Sequence, residues 1–178
     1  MKTLCVFCGS RTGRDDVFAR SATELGRKAA ERQIGIVYGG GHVGLMGVLA
    51  DAALAAGGRV IGVIPQALAD REVAHHGLTE LHVVSSMHER KALMADVSDA
   101  FVALPGGYGT LDELCEIVTW AQLGIHDRPI GLLNVEGYFD DLLALLDRAV
   151  QQDFISQPNR TLIRDATSVD ELLRRIGC

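Results

Sequence analysis

Apolar positions along the chain fall into two alternating patterns: short blocks of Val, Ile, Leu and Ala with few polar interruptions, and longer stretches in which apolar residues recur every three or four positions. The short blocks predict strands buried on both faces, and the longer stretches predict amphipathic helices. Strands are predicted at residues 3–8, 34–38, 59–64, 81–84, 100–104 and 129–134. Helices are predicted at 15–33, 43–56, 87–97, 110–123 and 138–151. A weaker strand at 161–164 and a helix at 168–176, striped by Val169, Leu172, Leu173 and Ile176, close the chain. This βαβ rhythm predicts an α/β fold: one domain over residues 1–178, a doubly wound, Rossmann-like parallel sheet with helices on both faces. Ligands are then expected at the carboxyl ends of the strands.

Composition supports one packed core and narrows the partners. The chain has 178 residues, of which 48% are hydrophobic and only 5% aromatic, so the core is aliphatic. A net charge of -6, with three lysines in the whole chain, argues against nucleic acid or an acidic membrane surface as partner. No run reaches the ~18–20 apolar residues of a membrane span, and the opening residues enter a strand without a signal-peptide pattern, so a cytoplasmic location is expected. Cys5 and Cys8 have the spacing of a zinc or redox pair. Three positions apart in a strand, however, they point to opposite faces, and no second pair completes a site. His75 and His76 match no zinc spacing, and neither metal nor cofactor is expected.

Candidate chemistry gathers where strands end. The segment from Asp99 to Glu113 runs from an apolar strand through Pro105 into Gly106, Gly107, Tyr108 and Gly109, and then into a helix that Thr110 is placed to cap. Glycines here would allow positive φ and close approach of a ligand, and the helix N–H groups would face an anion. A second glycine run, Gly39-Gly40-Gly41-His42, ends another strand, and Ser10 follows the first. Gly39, Gly41 and Gly44 fit a dinucleotide fingerprint, but the next strand ends Val63-Ile64-Pro65-Gln66 where a ribose-binding acid belongs, which argues against NAD or FAD. No Gly-Lys-Ser/Thr sequence is present.

Ser86 and Glu89 form a capping box, which puts Arg90 and Lys91 in the first turns of a helix, where its dipole opposes positive charge. Either an anion compensates them, or they are solvated or paired with Glu89 or Asp96. Glu113 is open to two readings, a helix-start acid or a group turned back toward whatever the glycine loop holds. The long polar segment 65–77 is placed to cover a site, with Glu72 its most plausible ligand-facing acid.

Together, Gly39-Gly-Gly-His-Val-Gly-Leu-Met-Gly47, Arg71-Glu-Val-Ala-His-His-Gly-Leu-Thr-Glu80, Met87-His-Glu-Arg-Lys91 and Pro105-Gly-Gly-Tyr-Gly-Thr-Leu-Asp-Glu113 resemble the LOG (Lonely Guy) family across nearly the whole chain. The resemblance implies hydrolysis of the N-glycosidic bond of an N6-substituted AMP, and of AMP itself in some members, releasing the base and ribose 5-phosphate. It implies catalytic roles for Arg90 and Glu113. Substrate contacts are implied for Lys91, for the Gly107–Thr110 backbone, and for Glu72 and Thr119; Ser10, Gly40 and Gly41 are further candidates from the strand ends. It also implies a homodimer with Thr119, Trp120 and Leu123 near the contact. Asp112 stands where many relatives carry Glu. A lysine decarboxylase would need pyridoxal phosphate on Lys2, Lys28 or Lys91. The alternative of another class is a non-catalytic nucleotide or molybdenum-cofactor carrier on the same fold.

Overall fold

A computed structural model describes residues 2–70 and 74–178. Seven strands form one sheet: β1 (Thr3–Phe7), β2 (Gly35–Tyr38), β3 (Val60–Pro65), β4 (Glu80–Val84), β5 (Ala100–Ala103), β6 (Ile130–Leu133) and β7 (Ile163–Ala166). Every pairing is parallel, in the order β4-β3-β2-β1-β5-β6-β7. The chain therefore winds outward from β1 to β4, returns to the other side of β1, and winds outward again. The two directions part between β1 and β5, and at that switch the loops leaving the two strands diverge and open a crevice.

Strand residues alternate between two apolar layers, as a side-chain period of two requires. Leu4, Val6 and Cys8 face one layer with α1 (Asp16–Glu31), α2 (Gly44–Ala55) and α8 (Val169–Ile176). Cys5 and Phe7 face the other with α4 (Met87–Asp96), α5 (Tyr108–Gln122) and α6 (Asp140–Gln151). Cys5 and Cys8 thus lie on opposite faces of the sheet, each a free buried thiol.

Three local features differ from the sequence-based expectation. Short helices α3 (Gln66–Ala69) and α7 (Gln157–Arg160) have one turn each, too little for a periodic signal. The helix after β5 starts at Tyr108 with Gly107 as N-cap, so Thr110 is not the cap; it is buried in the first turn. The helix after β6 starts at Asp140 rather than 138. Asn134 accepts from Phe139 N–H (2.8 Å) and donates to Asp140 (2.7 Å), while Glu136 takes left-handed dihedrals in a 3-10 turn over Val135–Gly137. Tyr138 consequently sits in a turn.

Candidate active site at the switch point

A cleft of about 580 Å³ opens at the carboxyl ends of β1, β2 and β5, lined by Ser10, Gly39, Gly41, Arg90, the Gly107–Thr110 segment and Glu113 among others. Backbone bonds stitch its three loops together: Gly9 N–H donates to Pro105 O (3.1 Å), and Leu45 N–H donates to Gly9 O (3.0 Å). The first intrahelical bond of α5 runs from Leu111 N–H to Gly107 O (3.1 Å). The amides of Gly107 through Thr110 are then the orphan donors of the helix start, at the wall of the cleft.

None of Gly106, Gly107 and Gly109 adopts the expected positive φ, and only Gly106 is required for close approach within the protein. A Cβ on Gly106 would overlap Thr110 Oγ1 and lie 2.8 Å from Gly9 N, so a side chain there would force the two loops apart. Around Gly107 and Gly109 the space is open.

Arg90 and Glu113 form the floor. Arg90 Nη1 lies 3.2 Å from Glu113 Oε1, and each residue is about nine-tenths buried. Arg90 Nε–H also donates to Val63 O (3.1 Å) within β3. The guanidinium fits only because residue 39 has no side chain, since a Cβ there would overlap Arg90 Nη2 and lie 3.1 Å from Cζ. Burial pushes the Glu113 carboxyl up from its ordinary value, and the Arg90 charge pulls it part of the way back. Such a group is poised for proton transfer, and the carboxylate can stabilise a developing positive charge.

The capping box orients α4: Ser86 Oγ accepts from Glu89 N–H (3.1 Å), and Glu89 reaches back to Ser85 N–H (2.8 Å) and its hydroxyl (2.6 Å). One residue is about 100° of helix rotation. Arg90 therefore enters the cleft, while Lys91 turns to Asp112 (3.1 Å) and Glu116 (3.0 Å) of α5. Both cations thus pair with α5 carboxylates rather than with Glu89 or Asp96. Burial alone would lower Lys91, but the hydrogen bonds it donates to Glu116 and Asp112 hold its ammonium above the usual lysine range.

Lys91, Gly40 and Thr119 do not line the cleft. Gly40 turns the chain at φ +72°, and its carbonyl accepts from His75 N–H (2.8 Å). Thr119 is exposed on α5 and donates to Cys115 O (2.7 Å). Glu72 lies outside the described residues, although its neighbour Ala74 bridges to Gly41. Sequence reasoning missed the apolar lining from Met46, Ile64 and Leu68, and the specific task of Gly39. The glycine run was visible, but the arginine that needs it comes from another element.

Fold and cleft together define a doubly wound α/β protein whose switch point holds a glycine loop beside a buried arginine–carboxylate pair. The family model described as "Possible lysine decarboxylase" matches residues 46–176. Cytokinin riboside 5'-monophosphate phosphoribohydrolase LOG1 of Arabidopsis thaliana is 52% identical, over 98% of this chain and 82% of its own length. LOG3 of the same plant is 49% identical over 98% and 81%. Among solved structures, the molybdenum cofactor binding protein from Rippkaea orientalis superposes with a TM-score of 0.73 at 20% identity, covering 100% of this chain and 99% of its own. The Moco carrier protein from Chlamydomonas reinhardtii gives 0.72 at 22%, covering 99% and 95%. At such identities these two likenesses show the fold alone. The chain belongs to the LOG family.

Proposed function

We propose that this protein hydrolyses the N-glycosidic bond of a nucleoside 5′-monophosphate, an N6-substituted AMP of the cytokinin type or AMP itself, to the free base and ribose 5-phosphate. The observation that carries the reading is the buried Arg90–Glu113 pair on the floor of a cleft rimmed by the glycine loop. The 5′-phosphate binds at the amides that open α5, which fixes the sugar through a remote group. The C1′–N9 bond then breaks toward an oxocarbenium-like ribose whose charge the Glu113 carboxylate stabilises. A water oxygen bonds C1′ and gives a proton to Glu113, which returns it to solvent. The base leaves with the C1′–N9 electron pair and takes one proton from solvent, so that one water is consumed overall. Arg90 holds Glu113 in place and favours its ionised form against the cost of burial.

The lysine decarboxylase label is less well supported. Lys91 is held protonated between two carboxylates outside the cleft, Lys28 pairs with Glu24 and Asp170, and Lys2 donates to Gly177 O. No lysine lines the cleft, where a Schiff base would have to form. A carrier role would have no need of the arginine–carboxylate pair. In the same reading the protein is a cytoplasmic homodimer. Exposed Leu123 and Ile125 at the end of α5, beside Thr119 and half-buried Trp120, offer an apolar face to a second copy. No helix among the described residues is long and apolar enough to cross a membrane.

The test is chromatographic detection of free base from AMP and from isopentenyladenosine 5′-monophosphate, with Glu113→Gln alongside. The variant should keep nucleotide affinity within roughly tenfold while turnover falls by ~10² or more, the size of a positioned acid–base group. Tight nucleotide binding without cleavage by the unaltered protein would favour the carrier.

A further inference from the structure

Tyr138 lies outside the catalytic pair and on no glycine loop, yet its hydroxyl donates to Gly106 O at 2.7 Å, across 32 positions of sequence. The turn that presents it is built for the purpose. Asn134 clamps both Phe139 N–H and Asp140, Glu136 and Gly137 have φ of +50° and +70°, and Tyr138 N–H is tied back to Val135 O (3.0 Å). The Tyr138 ring is packed edge-on against Phe18 of α1 (5.7 Å, 74°) and against buried Phe139 (4.9 Å, 88°). Its ring is thereby fixed by two elements while its hydroxyl reaches a third.

The consequence follows from peptide geometry. In a planar trans peptide, C=O and N–H point in opposite directions. Holding Gly106 C=O against Tyr138 aims Gly107 N–H away from Tyr138, and Gly107 forms part of the cleft wall. Glycine on both sides of that peptide gives it the widest rotational freedom of any residue pair, so an external anchor has most to restrain there. The preceding carbonyl, Pro105 O, is already held by Gly9 N–H, and the following one, Gly107 O, by Leu111 N–H. Tyr138 completes the series.

We infer that Tyr138 is a positioning residue for the 5′-phosphate: it locks the Gly106–Gly107 peptide with its amide facing the phosphate, without touching substrate. This role rests on reading the glycine loop as the phosphate site. The experiment compares Tyr138→Phe with Tyr138 intact, both in a Glu113→Gln background so that nucleotide is consumed only slowly, by calorimetric Kd for AMP and for adenosine. Phenylalanine keeps both ring contacts and removes only the hydroxyl. AMP binding should weaken about three- to tenfold, the worth of one neutral hydrogen bond, with adenosine unchanged within about twofold and the thermal midpoint preserved. Equal weakening of both ligands, or no change in either, overturns the positioning role. If the protein with Tyr138 intact binds adenosine as tightly as AMP, the phosphate reading itself fails, and this role with it.

Discussion

The site's geometry makes its sharpest demand at a position that carries no functional group. Replacing Gly39 by alanine adds one methyl where Arg90 Nη2 now sits, at the end of a fully buried strand that has no room to retreat. The guanidinium must swing away from Glu113. At an effective dielectric of ~20, moving the charges from the present 3.2 Å to about 5 Å reduces their attraction from roughly 5 to roughly 3 kcal/mol. If that attraction is used to hold Glu113 for catalysis, the loss of about 2 kcal/mol corresponds to about thirtyfold in kcat/KM. The assay is base release from AMP, run as a double-mutant cycle with Arg90→Met. Methionine is too short to reach residue 39, so Gly39→Ala should be almost silent in that background. Additive losses would refute the reasoning, because the methyl would then act by some route other than Arg90.

Two further outcomes follow from the ionisable groups. Because burial holds Glu113 above its usual range, a rate that needs its carboxylate should fall on the acid side at a pH above the ~4.3 of a free glutamate. Arg90→Met should move that limb further up, and a limb unmoved in the kcat/KM profile would contradict the assignment. Asp99 accepts from Thr3 N–H (2.7 Å) and from its hydroxyl (2.9 Å), and the backbone bond chiefly holds its carboxyl below the usual range. Its stabilisation is therefore present above the unfolded value and lost as pH falls through the lower folded one. Asp99→Asn should cost about 1 kcal/mol at neutral pH, allowing for its exposure, and little near pH 2, as urea unfolding would report; equal costs at both pH values would count against the bond.

What the sequence discloses follows from the range of the forces involved. Strands buried on both faces read as apolar blocks, so β1, β2, β3, β5 and β6 were legible to within a residue or two. The Ser86–Glu89 box was legible because capping is local. The helix after β6 was placed two residues early, because its start is set by the Asn134 side chain and a left-handed Glu136. The pairing partners of Arg90 and Lys91 were out of reach for a different reason. Adjacent residues differ by a rotation of about 100°, and only the docking of α5 beside α4 decides which one enters the cleft. Gly39 and Gly106 were recognisable as glycines that matter. The atoms that exclude a side chain from them belong to residues 51 and 4 positions further along the chain.

Gly9 has a mechanical consequence. Its amide bonds to Pro105, in the half of the sheet built after the return crossover, and its carbonyl receives Leu45 N–H from the half built before it. A single residue at the end of the central strand thus acts as a rivet between two plates. Spreading the plates to admit a nucleotide would break one of those two bonds. With the rivet intact both plates move as one body, and entry is left to the side chains at the rim, among them Tyr108, which is almost fully exposed.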